Sequence, residues 1–137
     1  MSSAATNDND DNNNFLYTFT KNILDSHKSI RWVSIIDKNG IIINEQYREG
    51  LKPLLIKEEN QEYTINTITR HKTRTKFEPK IGKLRYTFGR YENLSCFTIS
   101  INDNYYLLLT IDFEENNFDK IIMEKIIPLV KEEKEKF

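Results

Sequence analysis

Hydrophobic and polar positions repeat along the chain with two different periods. Over residues 15–28, Phe15, Phe19 and Ile23 recur every four positions, and Leu16 and Leu24 widen the stripe. Thr18, Lys21, Asn22 and Asp25 fall off it, so the pattern predicts an amphipathic helix, capped by Asn13 or Asn14. Residues 30–37 (IRWVSIID) and 41–45 (IIINE) are β-branched and aromatic, and Lys38-Asn39-Gly40 joins them. An Asn-Gly pair between such runs predicts a tight hairpin, because both residues tolerate positive φ. Asp37, just before that turn, is expected to stabilise it by local hydrogen bonding. Residues 47–53 then leave the sheet, with Gly50 and Pro53 as breakers.

The segment 57–77 is polar. Acids open it (Glu58, Glu59, Glu62) and bases close it (Arg70, Lys72, Arg74, Lys76). That order complements a helix dipole and predicts a second helix, despite the poor propensity of its threonines. In residues 83–90, Leu84, Tyr86 and Phe88 alternate with polar positions, the mark of a strand wetted on one face. Residues 94–101 and 105–112 read as a hairpin, and the second of these (YYLLLTID) is apolar on both faces. A third helix follows over 118–136, with Phe118, Ile122, Ile126 and Leu129 or Val130 inward. Pro128 is expected to kink it.

The predicted order is α-β-β-α-β-β-β-α, an α+β class. Strands apolar on both faces belong in the middle, which gives a five-stranded antiparallel sheet in the order 2-1-5-4-3. The half-polar third strand then lies at an edge, where unpaired N–H and C=O groups invite another chain.

The 137 residues suit one domain. Residues 1–14 hold no aromatic or β-branched aliphatic side chain and are expected to form a disordered acidic, Asn-rich tail. The domain would then be 15–137. No apolar run is long enough to span a membrane and no apolar leader opens the chain, so a cytoplasmic protein is expected. The single Cys96 agrees with a reducing compartment and is expected to be a small buried side chain.

The topology, together with the wording IRWVSIIDKNGIIINEQYREGLKPL, resembles the roadblock/LC7 domain, a profilin-like relative of longin domains. More narrowly, it resembles an uncharacterised archaeal set of roadblock-like proteins. The basic end of the second helix, Gly82, Tyr86-Thr87 and Arg90 extend the likeness. The resemblance implies a homodimer, or a heterodimer with a paralogue, that pairs third-strand edges and packs second helices together. Leu84, Tyr86, Thr87 and Phe88 would form that edge. It also implies a non-enzymatic platform for small GTPases or larger assemblies, without a cofactor.

Charge adds one feature. Residues 54–90 hold nine bases and four acids, while 91–137 hold five bases and ten acids, so a net charge of −1 conceals a +5/−5 division. Arg70, Lys72, Arg74, Lys76, Lys80, Lys83, Arg85 and Arg90 are the candidates for binding an acidic partner or, as the alternative function, a nucleic acid or other polyanion. Tyr86 and Phe88 could stack on bases, but core packing is their commoner use. His27 and His71 lack the companions of a metal site. No phosphate-loop, dinucleotide, zinc-protease or serine-hydrolase motif occurs, and no catalytic residue is assigned. A small-ligand sensor would need a polar-lined interior cavity, whereas the expected interior is Ile, Leu and Phe.

Overall fold

A computed structural model describes residues 2–137. Its two strands of doubly apolar pattern, β1 (Ile30–Asp37) and β5 (Tyr105–Asp112), lie side by side in the middle of one antiparallel sheet. β2 (Ile42–Tyr47) flanks β1, while β4 (Leu94–Ser100) and β3 (Thr87–Arg90) continue beyond β5, giving the order 2-1-5-4-3 as expected. Each central strand needs cover on both faces because it places large apolar side chains on both.

One face is covered by the first and last helices. α1 (Ser2–Asp25) lays Leu16, Phe19, Ile23 and Leu24 on it. The C-terminal run adds Ile121, Ile122, Ile126, Ile127 and Val130, and these meet Val33, Ile35, Phe97, Leu107 and Leu109 in the larger core. The other face carries α2 (Lys57–Thr75), which buries Ile68 against Trp32, Ile36, Tyr106 and Leu108 in a much smaller cluster. The threonines of α2 suit this thin layer. Thr67 bonds back to the Tyr63 carbonyl (2.8 Å) and Thr64 reaches the Gly40 carbonyl (2.7 Å), so small buried side chains satisfy their own hydroxyls.

Four expectations need correction. Residues 2–14 continue α1 rather than forming a tail, and Met1 lies outside the described residues. Once the docked turns from Phe15 onward are in place, each added residue gains a backbone hydrogen bond without a new nucleus, which offsets the polar composition. Asn13 and Asn14 are accordingly helical and exposed, not caps. β3 begins at Thr87, so Lys83, Leu84, Arg85 and Tyr86 precede it. The Leu84 N–H is donated to the Glu78 carboxylate (2.8 Å) instead of to β4. A short α3 (Glu78–Ile81) also interrupts the path from α2 to β3.

The irregularity that the last helix shows beside Pro128 is a π turn. α4 (Phe118–Ile121) passes through a π turn (Ile122–Ile126) into α5 (Ile127–Glu133), where Pro128 is the second residue. The Ile127 N–H reaches the Ile122 carbonyl, five residues back, and this wider turn accommodates a proline that offers no donor and would crowd a regular turn.

Two polar clusters fix the connections. Asp37 Oδ1 accepts the N–H groups of Asn39 (2.9 Å) and Ile41 (3.0 Å), the local role anticipated for it. Arg48, read from sequence as part of a loop, spans three carbonyls. It donates from Nη2 to Leu24 (2.8 Å) and His27 (2.7 Å) and from Nε to Ile30 (2.6 Å). The Leu24 carbonyl belongs to the last turn of α1, whose carbonyls have no partner within the helix.

Candidate functional site

The outer side of β3 has no strand beside it among the described residues, since β3 pairs only with β4. Apolar groups stand exposed in and before this edge: Phe88 (49%), Phe77 (58%) and Ile81 (83%). On α2, Thr64, Thr67, Ile68 and His71 face inward, while Ile65 stays 43% exposed. An unpaired strand edge leaves backbone N–H and C=O groups without partners from the sheet.

Of the four edge candidates, Thr87 and Phe88 lie in β3 and face Thr98 and Phe97 of β4. Leu84 and Tyr86 lie before it. The Tyr86 ring packs on Phe97 (6.0 Å) and Phe88 (6.1 Å), and its hydroxyl donates to Asp119 at the start of α4. Burial and that carboxylate push the Tyr86 hydroxyl up to about 12, so it keeps its proton. Phe88 stacks on Phe97 and meets Phe118 at 5.3 Å. Both aromatics therefore tie the edge to the C-terminal helix, Tyr86 against the core and Phe88 with half of its surface in solvent.

The basic residues do not gather into one patch. Arg70 lies over the Tyr63 ring (5.5 Å) and donates to Thr67, on the side of α2 nearer β4. Lys72, two positions on, points the other way and reaches the Lys38 carbonyl in the β1–β2 hairpin (3.4 Å). A two-residue step turns about 200° around a helix, and Arg74 and Lys76 are exposed at and just beyond its end. Arg90 packs over Phe118 (5.4 Å), which belongs to the core on the opposite sheet face. Lys80, Lys83 and Arg85 are exposed between α2 and β3. None of the eight forms an ion pair among the described residues.

Cys96 is half-buried beside Tyr63, and burial pushes its thiol up, which disfavours the reactive thiolate. His71 is 2% exposed, stands edge-on to Tyr106 at 5.2 Å, and has no hydrogen-bond partner for either ring nitrogen. Burial is the main cause that lowers its pKa below 6.5, with the Glu78 charge opposing and the Arg74 charge assisting. The folded protein thus resists a proton that the unfolded chain accepts. Stability contributed by neutral His71 is fully present above about pH 6.5 and declines as pH falls from there towards the lower folded value. Urea midpoints taken at pH 7.5 and pH 5.5 should therefore converge in His71→Phe relative to the parent protein.

Comparison with protein-family models and with curated proteins gives no match to this sequence. Solved structures do match. A roadblock/LC7 domain from Streptomyces avermitilis superposes with a TM-score of 0.66 at 10% identity, covering 86% of this chain and 93% of that one. The gliding protein MglB from Thermus thermophilus gives a TM-score of 0.69 at 9% identity, over 89% and 90% of the two chains. MglC from Myxococcus xanthus gives 0.56 at 15% identity, over 86% and 98%. At such identities the likeness is one of backbone path, and it extends through nearly the whole of each neighbour. The chain therefore has the roadblock/LC7 fold.

Proposed function

We propose that this protein is a non-enzymatic, dimeric interaction module of the cytoplasm whose paired subunits form a platform for a small GTPase. Two copies, or this chain and a paralogue, join β3 edge to β3 edge and place their α2 helices together. The observation that carries the reading is the unpartnered β3 edge with Phe88, Ile81 and Phe77 exposed in and before it. Fold-level similarity to roadblock/LC7 domains supports it as analogy. No helix of the described residues is long and apolar enough to cross a membrane.

The alternative, a polyanion binder built on the basic segment, draws less support from the geometry. Arg70, Lys72 and Arg90 engage their own subunit and point to different sides of it. Such a dispersed set lacks the continuous basic groove that a phosphate backbone follows.

Sedimentation tests the dimer. The parent protein is expected to dissociate reversibly on dilution, while Thr87→Pro weakens self-association at least tenfold by interrupting the paired edge. Ile65→Glu, at a half-exposed position of α2, should do the same, and at concentrations where the parent is already dissociated its urea midpoint should match the parent's. A parent protein that stays monomeric at high concentration, and acquires no paralogue partner, would overturn the proposal.

A further inference from the structure

On the α2 side of the sheet, α2 covers β1 and β5 but leaves the start of β4 open. A cavity of about 620 Å³ occupies that gap. Trp32, Leu94, Cys96 and Thr110 form its floor on the sheet. Tyr63 of α2, Leu54 and Leu55 of the β2–α2 connection, and Tyr91 of the β3–β4 turn form its walls. Sites that enclose small organic molecules generally fall between about 300 and 1,000 Å³ and are mostly apolar with a few polar groups.

Here the polar groups restrict the ligand. Arg31 is neutralised by Asp112, whose carboxylate accepts from Nη1 at 2.9 Å. Lys52 and Glu92, the other charged residues of the lining, cancel in net charge without forming an ion pair among the described residues. With the net charge around the cavity near zero, an ionised ligand would lose its hydration without gaining a net counter-charge. The Asn60 carboxamide is already committed as a donor to the Tyr47 hydroxyl (2.6 Å). The indole N–H of Trp32 has no partner, but it lies sealed beneath the floor, out of a ligand's reach. Most N–H donors of the Arg31 guanidinium are likewise left over by its one bond to Asp112. The walls are greasy, and the Arg31 guanidinium offers spare donors at one end.

We infer that this cavity binds an uncharged, largely apolar small molecule bearing a hydrogen-bond acceptor such as a ketone, ester or quinone-type carbonyl. The apolar body rests against Leu54, Leu55, Tyr63 and Leu94. The acceptor is directed towards the Arg31 end. The site lies behind the β3–β4 turn and does not use the outer side of β3, so the inference stands apart from the dimer proposal.

Trp32 is the only tryptophan of the chain, so its fluorescence reports on the cavity floor alone. Nile red, an uncharged apolar dye with a carbonyl acceptor, is expected to bind one per chain and to quench Trp32 emission by energy transfer. Adding 2-dodecanone should displace it, whereas dodecanoate should compete at least tenfold less well. Leu54→Lys, at an exposed wall position that folding does not need, should weaken Nile red binding at least tenfold, and Cys96→Phe should do so by filling the floor. An unchanged dye affinity in Leu54→Lys would overturn the site. Dodecanoate binding as tightly as the ketone would overturn the ligand class. Trp32 emission that shifts on protein dilution while Nile red fails to bind would show that a second copy fills the cavity, and would also overturn the inference.

Discussion

Replacing Gly40 with alanine is expected to destabilise the protein by about 2–5 kcal/mol, more than any other change at a turn. Gly40 has φ +84°, a left-handed conformation that costs a residue with a Cβ roughly 1–2 kcal/mol. The added carbon would also lie 2.6 Å from the Ile65 Cα and 2.9 Å from the Thr64 carbonyl oxygen. Both are backbone atoms of α2, so relief requires the helix to move, and overpacking of that kind costs about 1–3 kcal/mol. Movement would in turn stretch the bonds that Gln61 Nε2 (2.8 Å) and Thr64 Oγ1 (2.7 Å) donate to the Gly40 carbonyl. Gly50 provides the control. Its φ is +83°, but no atom lies within 4 Å of the position a Cβ would take, so Gly50→Ala should lose only the conformational part. Urea midpoints for the two variants separate strain from collision, and equal losses would show that the hairpin does not press on α2.

The second large effect is expected at Arg48. Its guanidinium accounts for the carbonyls of Leu24, His27 and Ile30, joining the end of α1 to the start of β1 and to its own strand exit. Removing a charged donor from partly buried acceptors costs about 1–3 kcal/mol for each group that water cannot reach. Arg48→Ala should lose about 2–4 kcal/mol in urea unfolding, with an unchanged slope. Arg48→Lys should recover less than half, because a single ammonium cannot match the fork of the guanidinium. Full recovery by lysine would mean that charge near the α1 terminus matters and the three-way geometry does not.

The sheet order was readable because burial on both faces leaves a continuous apolar run, and only two strands have one. Polar anchors carry no such periodicity. Arg48 sits in a segment rich in turn residues, and nothing local distinguishes it from a solvated arginine. The extent of β3 was misread for a different reason. Leu84, Tyr86 and Phe88 do alternate, but Leu84 and Tyr86 spend their polar groups on Glu78 and Asp119 instead of on a ladder. Tyr86 thereby keeps an inward-facing pattern without strand pairing. The basic candidates were adjacent in sequence, yet the helical turn sends Arg70 and Lys72 to opposite flanks. The cavity escaped notice because its walls come from segments far apart in the chain, and because an apolar hollow has the same composition as a filled core.

The two faces of the sheet are unequally clad. Among the described residues, eighteen buried hydrophobic ones knit α1, the C-terminal helix and the strands into one body, while five hold the layer beneath α2. The unsatisfied Trp32, Ser34 and His71 atoms all belong to that thinner layer. Peeling α2 away forfeits far less than global unfolding does, so its amide hydrogens should trade with deuterium ahead of those in β1 and β5. Any molecule that grips α2 from outside would thereby fasten the least secured part of the protein, and its binding would register as slowed exchange along that helix.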